Sequence, residues 1–208
     1  MTASIARHPA FLRTLLGIGI FSLALAGFAA YQLHGAARFH GTAYPDSPPA
    51  PPFELVAHDG SPVSLEDFRG RPVLLFFGFT RCPQVCPLTL GRLSRIAADE
   101  GIDPTRLTIL LLTVDPEHDT PDRLSAFIEP FGPNVTAVTG APDAIADVLS
   151  RYGVYAEHVT GHHGGEELAH TTQVFGIDAA GRIRVLIHPD QPLDLVARDI
   201  RTLLRIRA

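Results

Sequence analysis

The chain has 208 residues, 46% of them hydrophobic and 19% charged, with a net charge of −5. That length accommodates one domain with a full core plus an additional segment, and the negative balance excludes nucleic acid as a partner. Two cysteines, Cys82 and Cys86, are too few for a disulfide framework.

Residues 14–31, TLLGIGIFSLALAGFAAY, carry no charge, and Arg7, His8 and Arg13 precede them. A membrane-spanning helix needs about 20 apolar residues, with roughly 17 as the lower bound. Two readings compete: a signal peptide cut after Ala24-Leu25-Ala26, or an uncleaved anchor. The apolar run continues past that cleavage point to Leu33, which favours a transmembrane helix. The preceding positive charges put the N-terminus in the cytoplasm. A single-pass protein of a bacterial inner membrane, its soluble domain periplasmic, is the expectation. The chain then divides into a tail and anchor over 1–33, a Pro-rich linker over 34–52 and a soluble domain over 53–208. The linker contains DSPPAPP, which favours extended polyproline II and reads as a semi-stiff spacer.

The domain opens with FELVAHDGSPVSL, whose His-Asp-Gly turn between short alternating runs signals an N-terminal β-hairpin. VLLFFGF, residues 73–79, is a continuous apolar run typical of a buried strand. LTLGRLSRIAADEG is helical, with Leu88, Leu93, Ile96 and Ala97 on one face and Gly101 as the stop. LTILLLTVD is a second buried strand. Thr120 and Pro121 supply the N-cap and first residue of the next helix. VTAVTG is a third strand and APDAIADVLSRYG a third helix. TTQVFGIDAAGRIRVLIHP is a hairpin turning at Asp178–Gly181, and PLDLVARDIRTLLRIR is a closing amphipathic helix. Such alternation means an α/β fold with right-handed parallel crossovers, and the late hairpin makes the sheet mixed. Residues 156–169, AEHVTGHHGGEELA, interrupt the rhythm as a polar insertion.

Cys82 lies between a buried strand and a helix, where N–H groups and the helix dipole stabilise a thiolate. Cys86 follows four residues later, and Pro83 and Pro87 restrict the turn. If the turn is helical, the Cβ atoms stand about 5–6 Å apart on one face. That suits two thiolates on one metal ion. A disulfide prefers about 3.5–4.5 Å and requires adjustment. A structural disulfide closing so short a loop gains little. A redox pair or part of a metal site remain, and the latter needs one or two further ligands.

GFTRCPQVCP, TVDPEHDTP over 113–121 and LAHTTQVFGID over 168–178 together resemble the Sco/SenC family, from Phe53 to the end of the chain. The resemblance implies a thioredoxin-like fold flanked by helices and a role in cytochrome c oxidase assembly. It also implies a copper site made by Cys82, Cys86 and His170, with Asp115 near the metal in an indirect role. The family's more usual Val-Asp-His is replaced here by Leu-Ala-His. Two thiolates and an imidazole suit Cu(I) and can also hold Cu(II). Zinc in a structural site takes a fourth protein ligand. The leading expectation is a membrane-anchored copper metallochaperone that serves the oxidase's copper-bearing subunit. The alternative is a thiol–disulfide oxidoreductase, with Cys82 attacking and Cys86 resolving, acting on the oxidase or on another periplasmic copper chaperone, and needing a thiol reductant. A peroxidase is disfavoured, because Phe79-Thr80-Arg81-Cys82 lacks the threonine three residues before the cysteine. His158, His162 and His163 in the insertion read as solvated or as auxiliary copper contacts, His118 as a surface loop residue, His188 as structural, and Glu117 and Asp119 as solvated.

Overall fold

The computed structural model describes residues 13, 15–25, 39–160, 166–170 and 172–206, with the backbone alone described in 157–160 and 166–170. The chain separates into two units, Met1–Ala37 and Arg38–Ala208. In the first, residues 15–25 are helical, and Leu16, Ile18, Ile20, Phe21 and Leu23 on it are exposed. Among the described residues no helix is long and apolar enough to cross a membrane. The rest of the expected anchor, residues 14 and 26–31, lies outside them.

The second unit is built on an eight-stranded mixed sheet among the described residues, in the order β1 (Thr42–Ala43), β10 (Ile183–Ile187), β9 (Val174–Ile177), β4 (Val73–Gly78), β5 (Thr108–Thr113), β6 (Val135–Thr139), β2 (Glu54–Ala57) and β3 (Pro62–Ser64). Its centre is β4 (Val73–Gly78) paired in parallel with β5 (Thr108–Thr113), and β5 with β6 (Val135–Thr139). Every residue of β4 and β5 is buried. Leu74 to Phe77 and Ile109 to Leu112 have no exposure at all. Burying each such side chain is worth about 1.5–3 kcal/mol, so these two apolar runs form the centre of the core. Helices α1 (Val85–Asp99), α2 (Pro121–Ile128) and α3 (Pro142–Tyr152) follow β4, β5 and β6, and α4 (Leu193–Arg205) closes the fold. Gly101, at φ +60, takes the left-handed conformation that ends α1. Thr120 Oγ1 accepts the Arg123 N–H at 3.4 Å and caps α2, with Pro121 as its first residue.

β9 (Val174–Ile177) and β10 (Ile183–Ile187) form the late hairpin, antiparallel to each other, and β9 is antiparallel to β4. The early hairpin, β2 (Glu54–Ala57) and β3 (Pro62–Ser64), does not stand ahead of the sheet. It completes the sheet's other edge through β2 and β6. The polar insertion is also paired: β7 (Ala156–Thr160) and β8 (Glu166–His170) form a separate two-stranded sheet.

Two expectations are corrected. Residues 39–52 are not a spacer. Thr42 and Ala43 form β1 against β10, the Ile183 N–H donates to the Pro48 carbonyl, and the Ala50 N–H donates to the Gly181 carbonyl. The Asp199 carboxylate, with no exposure, accepts the His40 and Gly41 N–H groups at 2.7 and 2.8 Å. Proline lacks a donor but keeps its carbonyl, so an extended Pro-rich strand can edge a sheet. His188, as expected, is structural here: its Nε2 lies 3.0 Å from Thr42 Oγ1. The second correction is Leu88, which is 56% exposed, while Cys86, Thr89, Leu90, Leu93, Ile96 and Ala97 form the buried face of α1. At 3.6 residues per turn Leu88 stands about 140° around the helix from Leu93 and about 180° from Ala97, and this turns it outward.

Candidate metal centre

The cysteines stand where β4 passes into α1. Cys82 is partly exposed and Cys86 is buried in the first turn of α1. Pro87 is third in that helix, where no intrahelical N–H bond is due. The Leu88 N–H closes the first turn on the Gln84 carbonyl. The same geometry turns the Cys86 N–H onto Cys82 Sγ at 3.3 Å. A backbone donor at a helix N-terminus is therefore aimed at the outer sulfur.

The inner sulfur fits because residue 78 is glycine. A Cβ there would lie 2.7 Å from Phe76 Cε1 and 3.0 Å from Cys86 Sγ. The hydrogen bond with Cys82 and then burial push the Cys86 thiol well above its ordinary value, with the Asp119 charge adding to both and a Phe79 backbone bond opposing them. A metal ion bound at this sulfur would have to displace its proton.

Asp115, just past the end of β5, is 4% exposed. Its Oδ2 accepts Arg81 Nη2 and Nε at 2.8 and 3.1 Å, and its Oδ1 lies 2.8 Å from His118 Nδ1. Burial pushes this carboxyl up. The His118 and Arg81 bonds together outweigh burial and hold it below the usual carboxylate range. Asp115 thus reaches the cysteine turn through Arg81, the residue before Cys82.

Asp119 in the same loop is a further correction. Read as solvated, it has no exposure and accepts from Thr80 and Thr113. Glu117 is exposed as expected. Arg81 and His118 complete a cluster that residue types alone did not reveal. The available signal was a threonine at the end of each buried strand beside an Asp-x-x-x-Asp spacing.

His170 is the last residue of β8, paired with Ala156. β9 begins four residues later, antiparallel to β4, with Val174 opposite Phe76. The segment after His170 therefore enters the sheet at the end from which the cysteine turn leaves. The His170 side chain lies outside the described residues, as does that of His158, which is opposite Leu168 in the same hairpin. His162 and His163 lie wholly outside them. Among the described residues no group of three or more His, Cys, Asp or Glu is disposed around one point.

A mixed sheet flanked by helices, with a two-cysteine turn at the head of its first helix, defines a thioredoxin-like dithiol protein. The chain belongs to the SCO1/SenC family, whose pattern matches residues 42–205. It is 30% identical to a SCO2-like protein of Rickettsia prowazekii over 158 residues, 74% of each chain. It resembles the structure of Bradyrhizobium japonicum ScoI with copper bound, with a TM-score of 0.67 and 31% identity over 74% of this chain and 98% of that one. It also resembles apo Sco1 from Thermus thermophilus, with a TM-score of 0.69 and 34% identity over 80% and 97% of the two chains. The chain spans well under half the length of the mitochondrial relatives it matches.

Proposed function

We propose that this chain is a copper metallochaperone. It holds copper as cargo through the Cys82 and Cys86 thiolates and the His170 imidazole, and passes it to the binuclear copper centre of cytochrome c oxidase by ligand exchange. The observation that carries this reading is the cysteine turn itself. Two sulfurs lie in one turn, the outer one receiving the Cys86 N–H, at the sheet end where the chain returns from His170. Two soft sulfurs and one imidazole are the donor set that suits Cu(I). Copper in a Bradyrhizobium relative that is 31% identical supports the same cargo, and membership of the SCO1/SenC family supports the oxidase as recipient. Residues 14–31 would anchor the domain on the periplasmic face of a bacterial inner membrane, supported by their charge-free run after Arg7 and Arg13. Tethering would raise the effective concentration at a membrane target.

The test is copper binding by competition with a chelator, for the native chain and for Cys82→Ala, Cys86→Ala and His170→Ala. One tight copper per chain, lost or severely weakened in all three variants, is the expected result. Copper held equally well by the His170 variant would remove the third ligand. Membrane association that resists carbonate and is lost on deleting residues 14–31 tests the anchor.

One observation favours a second reading. Cys82 is accessible while Cys86 is buried beneath it, the asymmetry of an attacking and a resolving thiol. Cys82 would attack a disulfide of the oxidase's copper subunit or of another chaperone and release one thiol of that target. Cys86 would then displace the second, leaving a Cys82–Cys86 disulfide. A thiol reductant supplies the two electrons that restore the pair. Thiol exchange that survives in His170→Ala while copper binding is lost separates the two roles.

A further inference from the structure

Asp119 is a carboxylate with no exposure, at the heart of the loop that faces the cysteine turn. Its Oδ1 accepts the Thr80 Oγ–H at 2.5 Å, and its Oδ2 accepts the Thr113 Oγ–H at 2.6 Å. The Thr80 N–H is shared between the two oxygens at 3.1 and 3.3 Å. Thr113 Oγ also receives the Asp115 N–H at 3.0 Å, so the two acidic residues are linked through one hydroxyl. A buried carboxylate satisfied by hydroxyl and amide donors is a costly way to fill space, since apolar groups of the same shape serve stability as well. What these bonds do accomplish is local. Thr80 lies two residues before Cys82, and Asp119 fastens its backbone and side chain to the end of β5. Asp115 fastens the next residue, Arg81, from the same loop. The Arg81 grip is half-exposed to water and correspondingly weak, whereas the Thr80 grip is part-buried and ends on a carboxylate with no exposure.

We infer that Asp119 is a positioning residue for the dithiol: by clamping Thr80 against Thr113 it fixes where the Cys82 sulfur stands relative to Cys86. Cys86 is placed by the helix and by the glycine beneath it. The Cys82 sulfur receives the Cys86 N–H, and the Cys82 N–H closes a turn on the Phe79 carbonyl; Asp119 fastens Thr80 within that turn. A fixed separation between the two sulfurs suits a metal ion better than it suits a bond between them. The inference rests on Cys82 and Cys86 being the copper ligands proposed above.

The test uses the full chain and the variants Asp119→Asn, Thr80→Val and Thr80→Ser. Three quantities are read: Cu(I) affinity by chelator competition, the sulfur-to-copper charge-transfer band of the Cu(II) form, and the urea midpoint. Asp119→Asn and Thr80→Val are expected to weaken copper by about 10- to 100-fold, the range for residues that orient metal ligands, and to shift the band. Thr80→Ser keeps both the hydroxyl and the N–H and is expected to restore both. A merely structural role would lower the urea midpoint and leave the band of the folded protein unmoved, and that result overturns the inference. So does native affinity with a native band in both weakened variants. If Asp119→Asn does not fold, Thr80→Val decides alone, because it preserves the shape of the side chain. If the native chain itself holds no copper, the chaperone reading fails and the clamp is judged separately. The Cys82–Cys86 disulfide equilibrium with glutathione, measured in the same variants, then sustains the clamp if it shifts and overturns it if it does not.

Discussion

The cysteine turn and the hairpin that ends in His170 are built in opposite ways. The turn springs from β4, which is wholly buried, and two acidic residues of one loop grip the residues just before Cys82. Among the described residues, the hairpin pairs with itself in a two-stranded sheet separate from the main one. Two of the proposed ligands therefore belong to the core of the fold, and the third belongs to an appendage. The difference teaches that the sulfur pair is a constant of the molecule. His170, the proposed third ligand, stands on backbone that the fold holds by local pairing. For the proposed chaperone that division would be useful, since ligand exchange would begin at the histidine while both sulfurs stay in place.

The division predicts that changes in the turn alter stability and copper together, and that changes in the hairpin alter copper alone. His170→Ala gives the largest expected effect: a loss of copper affinity on the order of 100-fold, the equivalent of about 2.7 kcal/mol, with the urea midpoint of the copper-free protein unchanged. A matching fall in that midpoint would mean that the hairpin is part of the core after all. Gly78→Ala comes next. Its Cβ would press on Phe76 and on Cys86 Sγ, so stability should drop by about 1–3 kcal/mol, the usual cost of overpacking, and the copper charge-transfer band should move with it. Asp115→Asn is milder, because its Arg81 partner is half-exposed. About 1 kcal/mol of stability and a smaller fall in copper affinity than for Asp119→Asn are expected in urea and competition titrations. The smallest effect is a pH dependence. The Cys86 thiol holds its proton more tightly in the folded chain than at its ordinary value of 9.0. Its contribution is thus fully present below that pH and is lost as pH rises above it. Urea midpoints of the copper-free protein should fall through that alkaline range, and those of Cys86→Ala should fall less.

Much of this was legible in the sequence because it depends on apolar runs and on local chemistry. The buried strands over 73–78 and 108–113, the turn at Asp178–Gly181 and the Thr120-Pro121 helix start follow from patterns within a few residues. The cysteine pair was legible for the same reason, being a motif at a strand-to-helix junction. Features that depend on distant partners were not. The burial of Asp119 requires Thr80, 39 residues earlier in the chain. The run of prolines over 48–52 reads as a spacer until β10 offers Pro48 the Ile183 N–H and the Gly181 carbonyl accepts the Ala50 N–H. Leu88 is apolar but half a turn out of phase with Ala97, so its residue type misleads where its spacing does not. The insertion reads as a loop because its glycines and charges conceal the pairing of Ala156–Thr160 with Glu166–His170. A sequence declares residue types and spacing, whereas these features depend on which segments meet.

X-ray absorption at the copper edge of the Cu(I)-loaded protein tests the central claim most directly, because it counts the ligand atoms around the metal. Two sulfur scatterers at about 2.2–2.3 Å and one imidazole nitrogen at about 2.0 Å, as for comparable metal–sulfur and metal–nitrogen bonds, with the nitrogen lost in His170→Ala, is the predicted result. Two sulfurs with no imidazole in the native protein, or a nitrogen that persists in His170→Ala, would contradict it.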